Sequence, residues 1–321
     1  MFMLLQIIIL IVGLSLVVLG AQWLVNGASS VARRFGVSEF VIGLTIVGFG
    51  TSMPELVVSA TGAIEGLSDV SLGNVVGSNI FNTLLILGLT SVLVPVGISS
   101  DNKKRDIPLA LGATVLLIVY GMRHTLLGVG PQDGITRLGG IVFLLLFAGY
   151  VVLCFRKSKP EVDGETEVRE TKLPLAALLC LLGIGGLIGG GRMFVNSATE
   201  IARTLGVSEK FISITILAGG TSMPELVTCV VAALKKKNQL ALGNILGSNV
   251  FNILLILGAS AIIHPITFGT INLVDMGTLL LSVLLLWFFA KTGKGNQISR
   301  VEGVLMLALF VAYYIYLFMK L

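Results

Sequence analysis

Residues 36–88 align without a gap on residues 206–258, a constant shift of 170 positions, and 29 of the 53 pairs are identical. The words GVSE, TSMPELV, LGN, GSN, FN and LLILG all recur at that shift. VNGASSVAR at 25–33 and VNSATEIAR at 195–203 extend the match toward the N-terminus. Such self-similarity means one structural unit used twice. Its nature follows from hydropathy. Apolar runs of 18 or more residues recur along the 321-residue chain, the pattern of membrane-spanning helices. Charged residues make up 12% of the chain and hydrophobic ones 55%, whereas soluble domains carry about 25% charged residues.

Hydropathy predicts ten spans, near 2–26, 38–65, 70–95, 107–127, 136–155, 174–202, 208–234, 239–265, 272–290 and 301–319. Each half has five. An odd-numbered repeat inserts its second copy upside down, so the expected fold is all-α and integral to the membrane: ten transmembrane helices as two inverted five-helix repeats. The first repeat covers 1–155 and the second 173–321. Between them, 156–172 (RKSKPEVDGETEVRETK) reads as a flexible cytoplasmic linker from its mixed charge, Pro and Gly.

Charge sets the orientation. One set of loops contains 16 Lys and Arg, among them Arg33, Arg34, Lys103 to Arg105, Lys235 to Lys237 and Arg300. The opposite set, with the termini, contains five: Arg123, Arg137, Arg203, Lys210 and Lys320. Positive residues collect on the cytoplasmic side, so both termini are expected outside. The net charge of +5 is spread over these short loops and calls for no nucleic acid. The N-terminus reads as a retained span and not a cleaved leader. A prokaryotic plasma (inner) membrane, with the lipid bilayer as partner and the monomer as working unit, is the expected setting.

Cys154, Cys180 and Cys229 lie in apolar segments without metal-like spacing and read as small lipid- or core-facing side chains. Glu65, Asp69, Asp101, Asp106 and Asp275 lie near span ends, where they are expected to face water. His124 and His264 sit at span margins and suggest no catalysis. Asn26 and Asn196 are read as interhelical hydrogen-bond residues.

The words FGTSMPEL (49–56) and GGTSMPEL (219–226) break this apolar pattern. Pro54 and Pro224 each remove a helix donor and free the carbonyl four residues back, at Gly50 and Gly220. In hydrocarbon a freed carbonyl is tolerated only beside protein or water. Glu55 and Glu225 put a carboxylate at mid-span, a cost of about 3 kcal/mol that marks a functional site. Thr51 and Ser52 lie four and three residues before Glu55, on one helix face, as Thr221 and Ser222 do before Glu225. On the following spans Ser78 and Asn82 are four apart, as are Ser248 and Asn252. Carboxylates, hydroxyls, amides and carbonyls are all oxygen donors, the set that suits a hard cation such as Ca²⁺. Two carboxylates offset one divalent or two monovalent charges. Interrupted helices in matching positions of two inverted halves point to a transporter site.

On these motifs the chain resembles the calcium/cation antiporter superfamily, in particular its prokaryotic sodium/calcium exchanger branch. The resemblance covers essentially the whole chain. It implies a core of the second, third, seventh and eighth helices around the cation sites, with the first and sixth helices as a mobile gate. Carried over by motif, Glu55 and Glu225 are shared Ca²⁺ and Na⁺ ligands, Thr51 and Thr221 contribute at the calcium site, and Ser52, Ser222, Ser78 and Ser248 line sodium positions. Asn82 and Asn252 fall near the centre, and the carbonyls of Gly48 and Ala218 join the ligands. Relatives that co-transport potassium have Asp at the position of Asn252, so the Asn here argues against potassium.

The implied activity is antiport of Na⁺ for Ca²⁺ by alternating access, in the direction of calcium extrusion, with the ions as substrates and no cofactor. Ca²⁺/H⁺ exchange is the alternative, since a buried carboxylate can also carry a proton, and a cation channel would share the same oxygens. An enzyme is not expected: no His or Lys lies mid-membrane to activate Ser52 as a nucleophile.

Overall fold

The computed structural model describes residues 2–156, 172–206, 218–269, 271–293 and 295–320. The expected linker at 156–172 and the start of the expected seventh span, 208–217, fall mostly or wholly outside them. The helices used below are α1 (Phe2–Phe35), α2 (Glu39–Thr51), α3 (Met53–Ile64), α4 (Ser68–Leu93), α5 (Ile107–Gly121), α6 (Arg137–Arg156), α7 (Leu173–Thr204), α8 (Met223–Leu234), α9 (Asn238–Ile263), α10 (Leu273–Thr292) and α11 (Arg300–Lys320).

Among the described residues seven helices are long and apolar enough to cross a membrane, or eight if the bent pair α2 and α3 is one span. The remaining predicted spans contain shorter pieces: α5 has 15 residues and α8 has 12. Most of α4 and α9 is buried, although they carry the polar motifs, whereas only 17% of the most apolar stretch of α1 and of α11 is buried. Exposed Leu4, Ile8, Ile11, Leu145, Leu181 and Val301 suit contact with lipid chains.

Local chemistry sets the ends. Gly36 (φ 62°) closes α1, its N–H donating to the Arg33 carbonyl while Val37 N–H reaches that of Ala32. Ser38 caps α2 through Val41 N–H. Asn272 and Asp275 form a capping box at the start of α10.

The chain divides into two compact units, Met1–Pro54 with Phe155–Asn244, and Glu55–Cys154 with Ile245–Leu321. Each draws on both sequence repeats. In the first, α1 and α7 run antiparallel. A Cβ on Gly13 would lie 2.8 Å from the Gly190 carbonyl, one on Gly20 2.8 Å from that of Gly183, and one on Gly27 2.7 Å from that of Ala176. The seven-residue steps keep one glycine seam facing the partner, so the backbones touch. Gly13 and Gly183, like Gly20 and Gly190, are equivalent under the 170 shift, so the contact is isologous, as a two-fold relation requires.

The second unit repeats that logic. Gly88 of α4 meets Gly303 of α11, and Gly258 of α9 meets Gly140 of α6. Phe81 packs edge-on to Phe310 with ring centroids 5.5 Å apart, and Phe147 to Phe251 at 4.8 Å. Two short antiparallel ladders join loops: β1 (Val96–Gly97) pairs with β4 (Gln297–Ile298), and β2 (Gly134–Ile135) with β3 (Ile266–Thr267). In this unit α4 thus lies against α11, and α9 against α6.

Five acids were expected to face water. Glu65 and Asp101 are exposed and Asp69 is partly so, but Asp106 and Asp275 are buried. Asp106 pairs with Arg105 at 2.7 Å and accepts from the Asn102 amide at 3.1 Å. Desolvation still holds its carboxyl above the usual carboxylate range. Asp275 accepts from Tyr313 Oη at 2.9 Å as well as from the α10 cap. Nearby partners, invisible to a rule based on distance along the chain, account for both.

The glycine seam makes a direct prediction. Gly20→Val forces α1 and α7 apart and should cost about 1–3 kcal/mol, read as a lowered melting temperature of the purified chain. Gly185→Ala, where an added Cβ meets open space, should keep or slightly raise the melting temperature, since alanine is the better helix former. Equal values for both variants would contradict the packing described.

Candidate functional site

The helix breaks occur where the TSMPE words predict them. α2 and α3 are bent by 51° about Ser52, whose ψ of 8° is far from the helical value. Ser222 has ψ 7° at the matching place before α8, and Pro224 occupies the first turn of that helix. Two further irregularities recur at the 170 shift: π turns over Phe81–Ile86 in α4 and Phe251–Ile256 in α9. Each contains the asparagine of the FN word. π turns inside α-helices are common at functional sites.

In the first compact unit Glu225 is 1% exposed, and Ser52, 173 residues away in the other repeat, donates to its Oε1 at 2.9 Å. A hydroxyl donating to a carboxylate is a charge-assisted bond. Thr51 is fully buried and donates to Asn244 Oδ1 at 3.1 Å, with a longer contact of 3.4 Å to the Gly48 carbonyl. That carbonyl also accepts from Ser52 N–H at 3.0 Å. Asn244 in turn donates to Cys229 Sγ at 3.2 Å. Ser222 is buried and Thr221 half-buried. Ala218 opens the short helix Ala218–Gly220. Arg192, the basic residue that lies deepest within a predicted span, is exposed.

In the second unit Glu55 is 1% exposed and Ser78 approaches its Oε1 at 3.5 Å. Asn74 donates both to the Glu55 main-chain carbonyl at 3.2 Å and to Ser59 Oγ at 3.0 Å. Ser248 is fully buried. Asn82 and Asn252 join a cross-repeat cluster of amides. Asn82 Nδ2 donates to Asn249 Oδ1 at 3.2 Å, and Asn252 Nδ2 to Asn79 Oδ1 at 2.9 Å. Among the described residues the buried Oδ1 atoms of both Asn82 and Asn252 have no hydrogen-bond partner. A buried carbonyl oxygen in that state costs free energy unless a ligand meets it.

Sequence reasoning missed four asparagines, Asn74, Asn79, Asn244 and Asn249. All stand in the repeated LGN and GSN words, and their recurrence at the 170 shift is the signal that could have found them. Asn26, read as a hydrogen-bonding residue, accepts from Lys235 Nζ at 2.8 Å. The three cysteines are buried, and the two histidines, which sit at span margins, are exposed.

The donors gathered in each unit are hydroxyls and amides around one carboxylate, and no cluster of three or more His, Cys, Asp or Glu occurs among the described residues. Such a set suits hard cations held loosely enough to leave again.

Comparison with known proteins agrees with this chemistry. The family model described as "Sodium/calcium exchanger protein" matches residues 5–156 and 175–319. A putative antiporter, CaxA of Alkalimonas amylolytica, is 38% identical over 98% of this chain and 99% of its own length. The sodium/calcium exchanger MaX1 of Methanosarcina acetivorans is 32% identical over 97% of this chain and 98% of its own. Solved structures of the sodium-calcium exchanger NCX_Mj superpose with a TM-score of 0.83 at 32% identity, covering 97% of this chain and 98% of that one. The chain belongs to the sodium/calcium exchanger protein family.

Proposed function

We propose that this protein is a secondary antiporter that exchanges Na⁺ for Ca²⁺ across a prokaryotic plasma membrane by alternating access, in the direction of calcium extrusion. The observation that carries this reading is the Ser52–Glu225 hydrogen bond, 2.9 Å, with the acid 1% exposed. It joins a hydroxyl from one repeat to a carboxylate from the other, in a family of exchangers. Glu55 and Glu225 are the proposed charged ligands. Thr51, Thr221, Ser52, Ser222, Ser78, Ser248, Asn82 and Asn252 supply neutral oxygens, with the main-chain carbonyls of Gly48 and Ala218. Neutral oxygens around few charges keep both Na⁺ and Ca²⁺ exchangeable, and each ion competes with the other for them.

The architecture proposed with this function is ten helices as two inverted repeats, 1–155 and 173–321, joined by the linker at 156–172, working as a monomer with both termini outside. The reciprocal glycine pairs of both units, and the aromatic and ladder pairs of the second, support the two-fold relation. Contacts between loops assigned to one side support the topology: Lys237 with Glu39 at 2.6 Å, Lys103 with Asn296 at 2.7 Å, and Gly269 N–H with Asp69 at 3.2 Å. Two inverted halves can present one set of oxygens to either face in turn.

Two outcomes test this reading. In everted vesicles with the proton gradient clamped, a sodium gradient should drive calcium uptake, and Glu55→Gln or Glu225→Gln should each abolish it without preventing membrane insertion. Uptake driven by a pH gradient alone, or retained in either variant, would overturn the assignment. For topology, a cysteine at Lys236 should react with an impermeant maleimide only after the membrane is opened, and one at Val129 in intact cells. The reverse pattern would invert the proposed orientation.

A further inference from the structure

The amide cluster of the second unit contains more order than a set of ligands needs. Asn79, Asn82, Asn249 and Asn252 are all buried, as is Thr83. Asn79 Nδ2 donates to the main-chain carbonyl of Asn249 at 3.2 Å. A carbonyl can only accept, so that bond fixes which end of the Asn79 amide faces it. The other end, Oδ1, then points at Asn252, and only a donor can answer it. Asn252 does so with Nδ2 at 2.9 Å, which turns its own Oδ1 away as the atom with no hydrogen-bond partner among the described residues.

The second half of the cluster follows the same plan with a different anchor. Asn249 Nδ2 donates to Thr83 Oγ1 at 2.8 Å, Asn249 Oδ1 accepts from Asn82 Nδ2 at 3.2 Å, and Asn82 Oδ1 is left over. The repeat equivalent of Thr83 is Ile253, which has no hydroxyl. Asn79 therefore uses main chain where Asn249 uses a side chain. A hydroxyl both donates and accepts, so only the Asn79 arm is fixed by chemistry alone.

We propose that Asn79 is a positioning residue for the exchange reaction: through its bond to the Asn249 carbonyl it locks the Asn252 amide with the oxygen outward, while Asn249, anchored on the Thr83 hydroxyl, holds Asn82 in the matching way. The inference rests on the reading of Asn82 and Asn252 as ligands. An amide rotated by half a turn presents N–H hydrogens, which repel a cation, where the oxygen would bind one. Orientation, and not only the presence of an amide, sets the affinity. Neither Asn79 nor Asn249 touches the ion.

Equilibrium binding of radiolabelled Ca²⁺ to the purified full-length chain tests this. Asn79→Leu removes the acceptor that Asn252 Nδ2 meets and should bind Ca²⁺ about tenfold more weakly, as should the ligand variant Asn252→Ala. Because Asn79 acts only through the Asn252 amide, the double variant should bind no more weakly than Asn252→Ala alone. Losses that add in the double variant would overturn the positioning role while the ligand reading survives. If Asn252→Ala binds normally, the ligand reading fails and this inference with it. Asn79→Ala, a smaller change at the same position, completes the cycle where Asn79→Leu does not fold.

Discussion

A carboxylate enclosed in an apolar helix bundle dominates the physics of this protein. Desolvating such a charge costs several kcal/mol even after relaxation, and a hydroxyl donor at 2.9 Å, as Ser52 provides to Glu225, offsets only part of it. In the proposed exchange cycle a transported cation would add to that compensation. The local features follow from this need. The proline breaks open the helix at Ser52 and Ser222, small side chains let oxygens approach, and the most polar spans, α4 and α9, are the most buried. Apolar residues then cover the outside, an arrangement opposite to that of a soluble bundle.

Duplication meets the need economically. Elements near one acid recur near the other: the break and the π turn 170 residues on, the glycine contacts and loop ladders as reciprocal pairs. Where the copies differ, the chemistry differs in a traceable way. Ser59, bonded to Asn74, is matched by Cys229, bonded to Asn244. Thr83, which anchors Asn249, is matched by Ile253, so Asn79 turns to main chain. These substitutions keep the network closed while making the two halves unequal, which suits a protein that must bind ions from two unlike compartments.

Much of this was legible in the sequence, for physical reasons. Apolar runs must span, and an acid inside one must have a purpose, so Glu55 and Glu225 stood out at once. A proline after glycines announces a break, and the breaks fall at the predicted place. The asparagines were harder. Ser78 and Asn79 are neighbours about 100° apart on a helix, and nothing in the word GSN tells which side chain turns toward the site. The π turns at Phe81–Ile86 and Phe251–Ile256 have no signature in composition, because they arise from packing. Asp106 and Asp275 were misplaced because burial depends on partners such as Arg105 and Tyr313, not on distance from a span end. The expected span at 107–127 is a helix of 15 residues, Ile107–Gly121, broken at Met122 before a five-residue helix, Arg123–Leu127.

The account stands on one set of oxygens serving both ions. Calcium binding to the purified chain, measured at equilibrium while sodium is raised, examines that most directly. Sodium should displace calcium completely, as expected for ions that share ligands. Calcium that stays bound in full at saturating sodium would show separate sites and contradict the account.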